Sequence, residues 1–411
     1  MDRKALGRRV REARELAGLN QQAAAEALGL PRTAVTQIEA GNRSVSTLEL
    51  SQLAGLLRRP VGWFLRDTED ADEDLLVILH RVAAGLGEAS EVRDAVDRCV
   101  HICREAAALR TLLGHEQQEG PPSYPEPAPR TTGEAVRQGE RVAEQERRRL
   151  GLGSAPIVDL TGLISDQGIW TATSPLPDPM SGLFLQHASL GIAILVNASH
   201  AYSRQRFSLA HEYAHALFDR DRVVGVSSAE NRSERIEQRA NAFAAAFLMP
   251  QAGIEEELRR LGKGQPARTD QYVFDVATEG EIRGQLRSAP RSQAIGFHDV
   301  ARIAYAFGVS YQAAAYRLQS LRYLSPGAPV LFAEQEASGR ALLRALELFD
   351  ELEAPMEARR GSRELRNQVA LLAFDAFQAG EISRGRLLDL GRLIGIDGRK
   401  LLQLAETVEA E

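Results

Sequence analysis

Cysteine is nearly missing. The 411-residue chain has two, Cys99 and Cys103, too few for a disulfide framework, and this points to a reducing compartment, the cytoplasm. The pair stands four residues apart in a helical stretch with His101 between them, a pattern that fits buried small hydrophobes better than a metal pair or a redox switch. Long apolar runs are missing too. None approaches the roughly 18 residues that cross a bilayer, so no membrane partner is expected. The opening MDRKALGRRV carries charge without an apolar core, unlike a secretory leader. Aromatic residues make up only 6%. What is present is ordinary for a globular protein, 44% hydrophobic and 26% charged, and the length allows roughly two to four domains.

The net charge of −6 is unevenly spread. Residues 1–66 hold eleven Lys/Arg against six Asp/Glu, a net +5 that leaves −11 for the rest. A basic head on an acidic body is the balance of a nucleic-acid-binding module joined to something else. Apolar residues recur at helical spacing through the head: Leu6, Val10, Ala13 and Leu16, then Ala24, Ala25 and Leu28, then Val35 and Ile38, then Leu48 to Leu57. Turn signals at Gly18-Leu19-Asn20, Gly29-Leu30-Pro31 and Gly41-Asn42 separate these groups, and residues 1–66 fit five helices.

Beyond the head, DTEDADED (67–74) reads as a solvated hinge, and residues 75–114 as helix. GPPSYPEPAPRTTG, 120–133, is the clearest linker. A charged helix follows to Leu150. From 156 to 197 the period shortens: IVDLTGLISDQGIWTA, SGLFLQH and GIAILVN predict a helix and then a small antiparallel sheet. Residues 203–219 and 232–248 are two strong helices, the second stopped by Met249-Pro250. Residues 251–325 read as mostly helical, and 330–411 as helical throughout. The fold class is therefore mainly α with a small antiparallel β-sheet. The expected domains are a head at 1–66, a helical connector at 67–119, the linker at 120–133, a catalytic core at 134–262, an associated helical segment at 263–328 and a helical C-terminal domain at 329–411.

SLAHEYAHALF, Ser208 to Phe218, contains H-E-x-x-H. Histidines four apart on a helix share one face and can direct two imidazole nitrogens at one ion. Glu212, offset by about 100°, is placed to take a proton from zinc-bound water. The flanking Leu209, Ala210, Ala214, Leu217 and Phe218 bury the helix, where three unmatched polar groups would be costly. Phe218 and Asp221 exclude the metzincin pattern, and the absence of histidine between His215 and His298 favours a carboxylate as third ligand. In the next helix Glu237, Ala240, Asn241 and Ala244 share a face, and the small residues beyond Glu237 would let that helix come close. Glu234 and Glu230 lie near the same face and Asp221 follows the motif, so phase alone leaves four candidates.

RQRFSLAHEYAHALF followed by E-x-x-A-N-x-F-A-A-x-F-L-M-P resembles the ImmA/IrrE family of bacterial zinc metallopeptidases. RRRLGLGSAPIVDLTGLISDQGIW upstream and FHDVARIAYAFGVSYQAAAYRL downstream resemble that family's neighbouring blocks, and the likeness covers 134–325. The resemblance implies a zincin-like α+β core of gluzincin type, with His211, His215 and Glu237 as ligands of zinc (manganese being the alternative ion) and Glu212 as general base. It also implies a cytoplasmic protease that cuts a partner, typically a helix-turn-helix repressor or antitoxin-like regulator, in stress response or mobile-element control. The motifs name no residue for the oxyanion; His298, Tyr202 and Tyr311 are candidates, though a core or surface role fits each of them better.

Leu19 to Leu57 is the second signal. Asn20 caps one helix, Gly29 makes a tight turn, and Pro31 opens the next helix. Val35 and Ile38 pack that helix down, leaving Arg32, Thr33, Thr36 and Gln37 outward, the positions that meet base edges in a major groove. Gln21 and Gln22 open the preceding helix, and Arg8, Arg9 and Arg43 are the expected phosphate contacts. With Ile38-Glu39-Ala40-Gly41 at the helix end, the stretch resembles the XRE (lambda-repressor-like) DNA-binding family, which implies double-stranded DNA as partner and a homodimer. The expected function is a zinc endopeptidase fused to a DNA-binding head. The rivals are a non-proteolytic regulator whose zinc domain senses a signal, and a regulator that cleaves itself. The tail, Gly380 to Val408 included, has a helix–Gly–helix rhythm that fits a plain bundle better than a further helix-turn-helix.

Overall fold

The computed structural model describes residues 3–16, 19–57, 61–64, 89–115, 120–178, 180–187, 190–219, 224–228, 233–263, 268–275, 280–287, 289, 292–348 and 364–408. The acidic stretch 67–74, Asp221 and Glu230 lie outside these residues. The chain divides into two units, Met1–Ala89 and Ser90–Glu411.

In the first unit the five expected helices form: α1 (Arg3–Leu16), α2 (Gln21–Ala27), α3 (Arg32–Glu39), α4 (Thr47–Leu56) and α5 (Val61–Phe64). Asn20 caps α2, its side-chain oxygen accepting from the Ala23 N–H at 2.8 Å, and Ser46 with Glu49 closes a capping box on α4. Val10, Ile38, Leu53 and Phe64 are among the buried residues that knit the helices into one core. Gly7 lets α1 cross α3 at backbone contact, since a Cβ there would lie 2.7 Å from the Glu39 carbonyl.

The second unit opens with α6 (Ala89–Leu112), α7 (Thr132–Arg149) and α8 (Leu160–Ser165). Cys99 and Cys103 are buried free thiols on α6. The segment before α7 is tied down, Tyr124 N–H bonding the Leu217 carbonyl at 2.8 Å. Strands β1 (Ile169–Ser174), β2 (Met180–His187), β3 (Gly191–Asn197) and β4 (Val224–Ser228) form a sheet in the order β1-β3-β2-β4. This corrects the expectation of a purely antiparallel sheet, because β1 runs parallel to β3. The cause is that β3 inserts between β1 and β2. The β1–β2 connection must then span two strand spacings and reverse direction. Asn197 holds that connection: its side-chain nitrogen donates to the Leu176 and Met180 carbonyls at 3.0 and 2.9 Å, and its oxygen accepts from the Leu176 N–H at 3.1 Å.

Helix α9 (Tyr202–Phe218) lies against β2 and β3, and α10 (Arg235–Leu248) packs against both α9 and α7. At the α7–α10 crossing only glycine fits, because a Cβ on Gly139 would lie 2.7 Å from the Phe243 nitrogen. After α11 (Gln251–Arg260) comes a hairpin, β5 (Arg268–Asp275) and β6 (Gly280–Arg287), where helix was expected. The alternation that marks it, Ile282, Gly284, Leu286, is short and embedded in charge, so periodicity alone passes over it. Helices α12 (Phe297–Phe307), α13 (Tyr311–Ser320), α14 (Ala328–Glu334) and α15 (Glu336–Ala345) complete the main core. Buried arginines staple its layers through carbonyls. Arg147 reaches Phe247 and Ala155 at 2.5 Å each, Arg206 reaches Ile157 at 2.6 Å, and Arg317 reaches Met249 at 3.0 Å. The tail is a small bundle, α16 (Leu365–Gln378), α17 (Arg384–Ile394) and α18 (Gly398–Val408), turned at Gly395 with φ +67°. Among the described residues no helix is long and apolar enough to cross a membrane.

Candidate metal centre

Helix α9 is buried along most of its length, and most of its polar residues are buried with it. His211, Glu212 and His215 are 6%, 0% and 2% exposed, and Glu237 on α10 is 4% exposed. The alanines on both helices allow the close approach that brings Glu237 to the histidines. His211 Nε2 lies 3.0 Å from Glu237 Oε2 and 3.2 Å from His215 Nε2, which is 3.6 Å from Glu237 Oε1. Among the described residues these three form the one cluster with metal-binding spacing. Glu234 is the N-cap residue of α10 and stands outside that cluster.

The outer ring nitrogens are held as well. His211 Nδ1 bonds Asn241 Oδ1 at 2.9 Å, and His215 Nδ1 bonds Asp219 Oδ2 at 2.8 Å. Asp219 Oδ1 in turn accepts from Arg239 at 2.6 Å, and that guanidinium lies 4.4 Å above the Phe218 ring. In the tautomer that donates both Nδ1–H groups outward, both Nε2 lone pairs face the Glu237 carboxylate. Acceptors so buried and so close share a cation, either a metal ion or a proton on a ring. Four donors about 2.05 Å from a tetrahedral ion stand about 3.3 Å apart, and the observed separations bracket that edge. The residues present therefore fit a zinc-sized ion. The local field agrees. Burial disfavours the charged ring of His215, yet Asp219, Glu237 and Glu212 outweigh it and push its pKa up to about 10. Burial likewise opposes ionisation of Glu237, but the two histidines bring it down to about 2.

Glu212 points toward the sheet. A Cβ on Gly182 of β2 would come within 3.1 Å of Glu212 Oε1, so the bare strand backbone makes room for this carboxylate. Behind the motif, Tyr213 donates to Glu146, which also accepts from Tyr124 at 2.8 Å and from Arg149 at 2.6 Å. Although burial opposes it, these bonds hold the Glu146 pKa below the ordinary carboxylate value.

Sequence reasoning singled out the histidines, Glu212 and Glu237 but missed Asp219, Arg239 and Glu146, and gave Asn241 no bonding role. Asp219 is one turn beyond His215 and Asn241 one turn beyond Glu237, so the i, i+4 rule was the signal available. Of the oxyanion candidates, His298 pairs with Asp299 at 3.3 Å, Tyr311 packs on Gly339, and Tyr202 lies under the Arg206 guanidinium. Neither His298 nor Tyr311 bonds to the cluster.

In the head, Gln22, Arg32, Thr33, Thr36 and Gln37 are exposed on α2 and α3. Gln21 is half-buried, donating to Glu39 at 2.8 Å and accepting from Thr36 at 3.2 Å. Arg43 is engaged by Glu49 at 2.6 Å. Arg9 is buried, so the phosphate role expected of it does not fit its position, whereas Arg8 is exposed.

Comparison with known proteins gives three findings. Residues 164–272 match the family described as IrrE N-terminal-like domain, and residues 10–64 match the helix-turn-helix family. The radiation response metalloprotease IrrE of Deinococcus radiodurans is 42% identical over 94 residues, 22% of this chain and 27% of that protein. The chain thus matches about a quarter of that curated relative's length. The crystal structure of Bacillus thuringiensis PlcR in complex with the peptide PapR7 and DNA aligns over 99% of this chain and 98% of that one. Its 13% identity and TM-score of 0.17 carry no argument.

Proposed function

We propose that this chain, which joins a helix-turn-helix domain to an IrrE-like metallopeptidase domain, is a zinc-dependent, site-specific endopeptidase. It acts in the cytoplasm and controls transcription by cutting a partner protein, an HTH-type repressor or antitoxin-like regulator. The observation that carries the reading is the convergence of His211 Nε2, His215 Nε2 and the Glu237 carboxylate in a buried site whose outer nitrogens are already bonded.

His211, His215 and Glu237 would hold the metal, with manganese the alternative ion. A bound zinc ion supplies Lewis acidity toward the scissile carbonyl and the attacking water. Glu212 accepts the proton of that water and returns it to the departing amine. Asn241 and Asp219 keep each imidazole in the tautomer that leaves Nε2 free, and Arg239 holds Asp219 in place through its Oδ1. Gly182 supplies the space in which the Glu212 carboxylate lies. In the head, α3 would lie in the major groove, with Arg32, Thr33, Thr36 and Gln37 toward the bases, and a homodimer would bind two half-sites. Gln21, Gln22 and Arg43 complete the proposed DNA surface.

The test compares protein N-termini in cells carrying Glu212→Gln with those in the parent. The expected result is one or a few N-termini that vanish in the variant while its zinc content stays at the parent's level. Identical N-termini in both strains refute the protease reading, and loss of the head alone replaces it with self-cleavage.

A further inference from the structure

The tail bundle closes a cavity against the peptidase sheet. About 610 Å³ lies between α6, the end of β1 and the facing ends of α16 and α17. Small-molecule pockets span roughly 300–1,000 Å³. One side is apolar, formed by Ala95, Cys99, Ile102, Leu195, Leu365 and Ile394. The other carries Arg98, Arg366, Arg392, Thr173 and Ser174.

This polar side is not satisfied from within. Arg366 Nε is buried and has no hydrogen-bond partner. Among the described residues, neither Arg366 nor Arg98 meets a carboxylate, whereas Arg392 is tied to Asp389 at 3.1 Å. Glu364 also borders the cavity and makes bonds of its own, but its Oε1 is buried without a hydrogen bond. This one carboxylate stands against two guanidinium groups, Arg366 with its buried Nε and Arg98 at the exposed rim, so positive charge is in excess. A buried, unmatched guanidinium nitrogen is costly unless a ligand completes it. The 14-residue helix α16 starts at Leu365 without a side-chain cap, so its first N–H groups add positive potential at the same wall.

We propose that this cavity binds a small organic anion. A phosphate or carboxylate head sits on Arg366, Arg98 and the first turn of α16, with the Thr173 and Ser174 hydroxyls beside it. An apolar body lies against Ile102, Leu195 and Ile394. The apolar wall and the volume exclude a bare inorganic ion as the natural occupant. The proposal is independent of the metal-site reading.

Titration calorimetry on the full chain tests it with phenyl phosphate and phenylacetate as charged probes, benzyl alcohol as the uncharged body and inorganic phosphate as the bare head. At least one charged probe is expected to saturate at one per chain and to bind at least about tenfold more tightly than benzyl alcohol or inorganic phosphate. The stronger of the two identifies the head. Arg366→Met is expected to weaken binding about tenfold, and Ile102→Trp, which intrudes on the space for the apolar body, to weaken it about tenfold as well without lowering the melting temperature. If neither charged probe saturates, or if binding survives both substitutions unchanged, the proposal falls.

Discussion

Helices α3 and α9 both rest on apolar residues three and four apart, and they use their polar residues in opposite ways. On α3, Val35 and Ile38 are each 1% exposed while Arg32, Thr33, Thr36 and Gln37 face solvent. On α9 the polar residues of the motif, His211, Glu212 and His215, are themselves buried. Exposed side chains fold at little cost and await a partner, so a recognition helix needs only its apolar face matched from within. Buried ones lose water on folding and must be matched by other elements. That is why His211 and His215 bring Asn241, Asp219, Arg239 and Glu237 with them. The difference is between a surface that borrows its specificity from a ligand and a site whose chemistry is assembled in advance.

Substitutions sharpen or break this contrast. The largest effect is expected at His211→Ala, with metal uptake and cleavage both lost; parent-level metal by elemental analysis would show that the buried cluster is not a binding site. Arg239→Met removes the ion pair with Asp219 Oδ1 and leaves that buried carboxylate only its other bonds, at an expected cost of about 3 kcal/mol in urea unfolding. It should also weaken zinc roughly 10- to 100-fold; stability and affinity equal to the parent's would show that the ion pair with Asp219 supports nothing. On the exposed helix the consequences are smaller and confined to binding. Arg32→Ala is expected to weaken operator DNA by about 1–3 kcal/mol with folding unchanged. Parent and variant should both lose affinity steeply with salt, and a flat salt dependence would remove phosphate contacts from the account. The smallest effect concerns pH. Because the folded pKa of Glu146 is depressed, its contribution is present above the ordinary 4.5 and fades as pH falls below it. Glu146→Gln should therefore flatten the acid side of the melting-temperature profile between about pH 6 and about pH 3; parallel profiles would contradict this.

Much of this was legible in the residues. H-E-x-x-H, the small-residue face of α10 and the turn signals of the head are local patterns, and local patterns survive without coordinates. Helix phase alone placed Glu234 beside Glu237 and the small residues favoured Glu237; the structure separates them because Glu234 has the extended backbone of an N-cap and precedes the helix that carries Glu237. The parallel pairing of β1 was not legible. It depends on which strand enters the middle of the sheet, and Asn197 bonds Leu176 and Met180, 21 and 17 residues upstream. The β5–β6 hairpin was hidden by charge, and the Asp219–Arg239 pair by separation along the chain.

The backbone contact at Gly139 reaches further than packing. It seats α10 directly on α7, and the same helix carries Glu237, Arg239 and Asn241. Glu237 is therefore carried by a rod that cannot easily retreat from the histidines. Replacing Gly139 by a larger residue should lift that rod and speed the release of a bound ion, although position 139 touches no ligand.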